Sequence, residues 1–141
     1  MEELSGKFVH ALDQKNRLFI PSKFREILGE QFVASIPLNG DKCIMVYSEP
    51  EWDRFMQAVE SKYEGYKLVS FNRLIGAKLE HVTPDKQGRI VLRQDFCEFA
   101  SLAQEAVVTG ARNHVEIWNR ETWDAMYAQE SERFMDPDLP Y

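Results

Sequence analysis

The chain has 141 residues, of which 44% are hydrophobic and 28% are charged, a composition typical of globular proteins. No apolar run approaches the roughly 20 residues that cross a bilayer. The first residues are acidic and do not show the basic region followed by an apolar stretch that is typical of a signal peptide. We therefore expect a cytoplasmic protein with no membrane partner.

The first segment is predicted to form a strand, a tight turn and a second strand. Phe8, His10 and Leu12 alternate with smaller residues, as in a half-buried strand. The β-prone run Arg17–Ile20 follows a short polar stretch. A turn of this kind needs one residue at positive φ, and Asn16 is a common non-glycine residue there.

A short helix is predicted next. Pro21 halts strand pairing, and its fixed φ suits the first turn of a helix. Phe24, Ile27 and Leu28 are spaced three and four apart, which predicts one buried face. Gly29 can end this helix.

Two longer helices are predicted, each with a capping residue before it and an apolar stripe along one side. Two strands are expected before each of them. The capping residues are Ser48 and Asn119, and the stripes are Trp52, Phe55, Met56 and Val59, then Trp123, Met126 and Tyr127.

The chain contains an internal repeat. Asp13–Ile20 aligns with Asp85–Leu92 at an offset of 72 residues, and Gly88 takes the position of Asn16. Further on, Val46–Asp53 aligns with Ile117–Asp124. The features keep the same order in both halves, so a duplicated unit is the better explanation than chance.

We therefore predict an α+β protein with two similar halves. The first repeat spans 5–60, a linker helix lies within 61–76, the second repeat spans 77–130, and an irregular tail covers 131–141. The linker helix is expected over Tyr66–Ile75.

No pattern of residues indicates catalysis or a metal. Cys43 and Cys97 lie in apolar or amphipathic stretches without ligand spacing, so we expect reduced cysteines packed as small hydrophobic residues. No nucleophile–base pair and no glycine-rich phosphate loop is present. We expect a non-enzymatic protein with no cofactor and no metal.

The net charge of −6 disfavours nucleic-acid binding only if the charges are evenly spread, and they are not. Residues 14–25 contain four cations and no acid, whereas the acids collect at 49–64 and 121–138. The distribution of charge therefore leaves a nucleic-acid partner open.

With its repeated turn and the elements around it, the sequence resembles the MraZ family, whose members contain two tandem copies of the AbrB-type motif. The resemblance covers roughly residues 5–127. It is carried by Gly6–Asp13, Lys15–Pro21 and Lys23–Arg25 in the first copy, and by Asp85–Ile90 and Glu116–Trp118 in the second.

The resemblance implies two pseudo-symmetric swapped-hairpin β-barrel halves with flanking helices. It also implies a ring-shaped homo-oligomer that binds repeated boxes of double-stranded DNA before the division and cell-wall genes, regulates their transcription and associates with the nucleoid. Two positions depart from the family pattern: Asn16 stands where glycine is usual, and Arg93 replaces the proline equivalent to Pro21.

The basic residues around the two turns are the candidate DNA contacts, since arginine can bind guanine edges or phosphates and lysine can bind phosphates. We expect Lys15 and Arg17 of the first turn to be the principal DNA contacts. Lys86 and Arg89 of the second turn are expected mainly to hold the second half together. The candidate contacts are Lys15, Arg17, Lys23, Arg25, Lys86 and Arg89, and the turn residues are Asp13, Asn16, Asp85 and Gly88.

Two structural alternatives stay open for the arginines. Arg17 and Arg89 could pair with the aspartate of their own turn and simply hold its shape. Arg25 could lie on a solvated helix face beside a glutamate. A different function also stays open, that of an antitoxin-like protein-interaction module of the same fold.

Overall fold

The computed structural model describes residues 2–141 and is a mixed α+β protein. Its elements follow the order predicted for the two halves. They are β1 (Lys7–Ala11), β2 (Arg17–Phe19), α1 (Ser22–Leu28), β3 (Phe32–Ser35), β4 (Ile44–Ser48), α2 (Glu49–Lys62), α3 (Tyr66–Ala77), β5 (Leu79–Val82), β6 (Arg89–Val91), α4 (Gln94–Phe99), β7 (Glu105–Gly110), β8 (Val115–Asn119) and α5 (Arg120–Arg133).

Six strands form one antiparallel sheet in the order β1-β7-β8-β4-β3-β5. The two edge strands are exchanged between the halves of the sequence. Strand β1 pairs with β7, with Lys7 opposite Thr109, and β5 pairs with β3, with Val82 opposite Phe32. The halves meet in the middle of the sheet, where β4 pairs with β8. Each half therefore borrows its edge strand from the other.

The remaining two strands, β2 and β6, form a separate antiparallel ribbon. The ribbon packs with α1 and α4 over one face of the sheet, and Leu18, Phe24, Ile90 and Phe96 are fully buried there. Helices α2 and α3 pack on the other face against Val33 and other residues of β3 and β4, and α5 packs beside them on β7 and β8. Both faces of the sheet are thus covered.

The long helices begin at the predicted caps. The Ser48 side chain accepts a hydrogen bond from the Glu51 backbone N–H at 3.3 Å, and the Asn119 side chain accepts one from the Thr122 N–H at 3.1 Å. The stripe of α2 faces the sheet, with Trp52 buried. Among residues 2–141 there is no helix that is both long and apolar enough to cross a membrane.

Four expectations need correction or remain unconfirmed. No closed barrel is found among residues 2–141, so the two barrel halves are not confirmed; the exchanged edge strands join both halves into one open sheet. Pro21 precedes α1 rather than lying in its first turn, and Ile27 is only half-buried. The stripe of α5 is only partly buried, since Trp123 and Met126 are half-buried against the sheet and Tyr127 is 58% exposed.

Candidate nucleic-acid interface

The two turns have the same internal hydrogen bonds. In the first, Asp13 Oδ1 accepts from the backbone N–H groups of Lys15 and Arg17 at 2.9 and 2.8 Å. In the second, Asp85 Oδ1 accepts from those of Gln87 and Arg89, both at 2.9 Å. The aspartate is needed because its short side chain can bond the backbone two and four residues on.

The arginine side chain of each turn is held by the same aspartate. Arg17 Nε donates to Asp13 Oδ2 at 2.6 Å, and Arg89 Nε donates to Asp85 Oδ2 at 3.1 Å. Arg89 Nη1 also lies 4.0 Å from Asp13 Oδ2, so the first turn touches the arginine of the second. The pairing alternative is therefore present in the structure. It does not exclude a ligand, because each guanidinium keeps further donors and about a third of each side chain is exposed.

These contacts lower the pKa of both turn carboxyls. The backbone hydrogen bond from Arg17 is the largest cause of the lowered pKa of Asp13, and that from Arg89 is the largest for Asp85. Both carboxylates are therefore ionised at neutral pH, and both hold their arginine in position.

The third central position of each turn has positive φ, as predicted. Asn16 has a φ of 58° and Gly88 a φ of 83°. Beyond φ the two positions differ. The Asn16 side chain donates to Gln94 Oε1 at 2.8 Å, whereas Gly88 is buried beneath the guanidinium of Arg25.

The ribbon of β2 and β6 places the two turns at its opposite ends. Residue Arg17 pairs with Val91, and Phe19 pairs with Arg89. The turns extend this ladder, because Leu92 N–H donates to the Asn16 carbonyl at 2.8 Å and Ile20 N–H donates to the Gly88 carbonyl at 2.9 Å. The two copies are related by an approximate two-fold axis through the ribbon.

One face of the ribbon points into the core and the other points outward. Leu18 and Ile90, at the centre of the two strands, are fully buried. Because side chains alternate along a strand, their neighbours lie on the opposite face. That outward face carries Arg17, Phe19, Arg89 and Val91, so the two arginines stand diagonally on the same surface.

Arg25 adds a third guanidinium beside this face. Its Nε donates to the Ile20 carbonyl at 2.8 Å, and its guanidinium carbon lies 5.5 Å from the centre of the Phe19 ring. The alternative that Arg25 pairs with a neighbouring glutamate is wrong, since within residues 2–141 it forms no ion pair. Arg25 instead ties α1 of the first half to the turn of the second.

The three candidate lysines are exposed. Lys15 and Lys86 lie in the two turns, and neither side chain is in an ion pair within the described part of the chain. Lys23, on α1, donates to the Ser5 hydroxyl at 3.3 Å. Within residues 2–141 no carboxylate neutralises the charge of these three ammonium groups.

Arg93 belongs to a different arrangement. Its Nη2 donates to Asp95 Oδ2 at 2.7 Å, and its guanidinium covers the Phe96 ring at 4.6 Å. Asp95 also accepts from Lys78 Nζ at 2.8 Å. Arg93 is therefore held by a carboxylate, as Arg17 and Arg89 are, but this carboxylate also binds Lys78.

The two turns are alike in their contacts and exposure. The hydrogen bonds of the two turns match, and 33% of the Arg17 side chain is exposed against 30% for Arg89. These contacts do not test the expected division into a DNA-contacting first copy and a structural second copy, which stays a prediction.

Sequence patterns missed the partners of Asn16 and Gly88, namely Gln94 and Arg25. Nothing in the local sequence marks them, because each partner comes from the other half of the chain. The cysteines are as expected: Cys43 and Cys97 are free and buried, and burial raises the pKa of both thiols. Across residues 2–141 no group of three side chains could hold a metal ion.

Comparison with known protein families gives one match, made twice along the chain. A family model described as "MraZ protein, putative antitoxin-like" matches residues 4–70 and again residues 75–139. The two matches follow the repeat and together cover nearly the whole chain.

Proposed function

The chain belongs to the MraZ family, as the resemblance predicted, and on that premise we propose that it is a sequence-specific DNA-binding regulator of transcription. The observation that carries the proposal is the outward face of the β2–β6 ribbon. It presents Arg17 and Arg89 on one surface, with an exposed lysine in the turn at each end.

The shape of this surface suits duplex DNA. The major groove is wide enough for a two-stranded ribbon, and arginine can bond the O6 and N7 atoms of guanine in a bidentate manner. The turn aspartates orient the guanidinium groups of Arg17 and Arg89, which lowers the entropy lost on binding. Lys15, Lys86 and Lys23 then supply phosphate contacts.

One ribbon offers few contacts, so a single chain binds weakly. We propose that several chains assemble into a ring and meet several copies of a DNA box, which raises affinity through effective concentration. Such a protein acts in the cytoplasm at the nucleoid, without a cofactor, and without catalysing a reaction.

The test is fluorescence anisotropy of a labelled duplex carrying repeated G-rich boxes, titrated with protein at low salt beside a scrambled duplex. Arg17→Ala and Arg89→Ala are each expected to weaken specific binding by about 5- to 150-fold. Arg54→Ala is the matched control, because Arg54 also pairs with a carboxylate of its own element but lies on α2, across the sheet.

Two results contradict the proposal. If the wild-type protein fails to bind the boxes even at low salt, where phosphate contacts are strongest, the DNA-binding function is wrong. If Arg54→Ala weakens binding as much as Arg17→Ala, the ribbon face is not the contact surface.

The description of the matching family favours a second candidate, an antitoxin-like module that binds and neutralises another protein. Wild-type protein that fails to bind DNA but forms a stoichiometric complex with one purified toxin would favour this second candidate. Binding to the boxes that depends on Arg17 and Arg89 favours the first.

A further inference from the structure

An apolar groove lies on the side of the sheet opposite the ribbon. It has a volume of about 850 Å³ and runs between α2, α3 and the segment after β3. Trp52, Phe55 and Phe71 are among the aromatic residues that line it. Its rim includes Tyr66 and Leu74, which are 77% and 57% exposed. Exposed apolar surface of this kind marks a site of interaction.

The charged side chains that line the groove are both lysines. No aspartate or glutamate is among its lining residues, whereas Lys62 and Lys67 both are. Neither lysine is in an ion pair within residues 2–141. The other titratable side chains that line it are tyrosines and His114, and His114 lies 2.8 Å from Glu116 through its Nε2. The groove therefore suits a segment that is apolar and acidic.

The chain contains such a segment at residues 134–141, here called the C-terminal segment. Phe134 and Met135 are 67% and 78% exposed, and Leu139 is exposed too. Asp136 and Asp138 lie between these apolar residues, and the segment contains no lysine or arginine. Its hydrogen bonds are all local, so in one copy it is unpartnered.

Within residues 2–141 the C-terminal segment does not line the groove of its own copy, so we take the partner to be a second copy. In the first half, α2 is followed by α3, which packs against the aromatic stripe of α2 through Phe55 and Phe71. In the second half, α5 is followed by the C-terminal segment. The α5 stripe is only partly covered: Trp123 and Met126 pack against the sheet, whereas Tyr127 is stacked on Trp123 but 58% exposed.

We propose that the groove between α2 and α3 of one copy binds the C-terminal segment of a second copy, with Phe134, Met135 and Leu139 in the groove and the two aspartates facing the lysines. This inference rests on the self-assembly in the proposed function. The two surfaces lie on different parts of the chain, so the contact is heterologous, and heterologous contacts close into rings when the rotation between copies allows it.

The test exchanges the charges of the two surfaces. One variant carries Lys62→Glu and Lys67→Glu, and the other carries Asp136→Lys and Asp138→Lys. Each alone places like charges at every contact, so the protein concentration at which copies assemble is expected to rise by at least about tenfold. When the two variants are mixed, every contact again joins opposite charges, and assembly at the wild-type concentration is expected. The readout is the mass in solution by sedimentation velocity.

Arg73→Glu is the matched control, since Arg73 lies on α3 but does not line the groove, and it should leave the mass unchanged. Circular dichroism of each variant confirms that the fold is kept. The proposal is overturned if the charge variants assemble as the wild type does. A chain that carries all four substitutions gives a further check. The proposal is also overturned if this chain assembles at the wild-type concentration but the mixture of the two variants does not, because the segment then binds the groove of its own copy.

The outcome for this contact is separate from the outcome for DNA. Wild-type protein that is a single chain at every concentration refutes self-assembly and with it this contact. If the wild type assembles and the charge variants assemble equally well, the proposed contact is refuted but self-assembly is not. Binding of a single box through the ribbon face is measured independently, since none of the exchanged residues lies on that face.

Discussion

Substitution of Gly88 tests how the two halves are joined at the second turn. Gly88 has a φ of 83°, and a Cβ atom built on it would lie 2.8 Å from the guanidinium carbon of Arg25. Alanine there meets two penalties, one from the backbone and one from the displaced arginine. Asparagine meets mainly the second, because Asn16 adopts a φ of 58° at the equivalent position.

The sizes of the penalties can be estimated. A non-glycine residue in the left-handed region costs about 1–2 kcal/mol. Moving Arg25 breaks its hydrogen bond to the Ile20 carbonyl, which contributes about 1 kcal/mol net. We therefore expect Gly88→Ala to lower the free energy of unfolding by about 2–3 kcal/mol, and Gly88→Asn by about 1 kcal/mol.

The measurement is urea unfolding of each variant at one fixed protein concentration, because assembly makes stability depend on concentration. Gly76→Ala is the control, and it is expected to raise the free energy of unfolding rather than lower it. Gly76 lies in α3 with open space around it, so alanine should raise stability by about 0.5–1 kcal/mol through helix propensity. If Gly88→Ala changes stability no more than Gly88→Asn does, the backbone argument is refuted.

Three further predictions concern other contacts. A Cβ atom on Gly110 would lie 2.4 Å from the backbone of Leu4, so Gly110→Ala should lower the free energy of unfolding by about 2 kcal/mol or more, seen by urea unfolding. Hydrogen bonds from its two cationic partners lower the pKa of Asp95 from 3.8 to about 2, so this carboxylate stabilises the protein above pH 3.8 and the gain is lost as the pH falls towards 2. Stability followed from pH 5 to pH 2 should thus fall less steeply in Asp95→Asn, and an unchanged slope would count against the ion pairs. Cys43 and Cys97 should react with a chromogenic disulfide at neutral pH only after denaturant is added, and fast labelling of native protein would contradict their burial.

The order of the elements could be predicted because its signals are local. Asn16 and Gly88 mark turns through their tolerance of positive φ, and Ser48 and Asn119 mark helix starts through hydrogen bonds to nearby backbone groups. Each signal acts within a few residues of chain, so a single sequence is enough to reveal it.

The strand partners could not be predicted from the sequence. Alternation shows that one side of β1 is buried, but it does not say which strand lies beside it. The close approach of Arg25 to Gly88 follows from that pairing, and so it was missed too. The stripe of α5 predicted a buried helix face, yet Trp123 and Met126 are only half-buried on the sheet and Tyr127 is exposed.

The exchange of edge strands has a consequence for how the protein folds during synthesis. The first strand needs a neighbour about a hundred residues later, since Phe8 lies opposite Val108. Pairings between such distant residues form slowly, because a long loop must close first. Until the ribosome has synthesised β7, strand β1 of the nascent chain has no partner strand. Separate fragments carrying the two halves should remain unfolded alone and regain structure when they are expressed together.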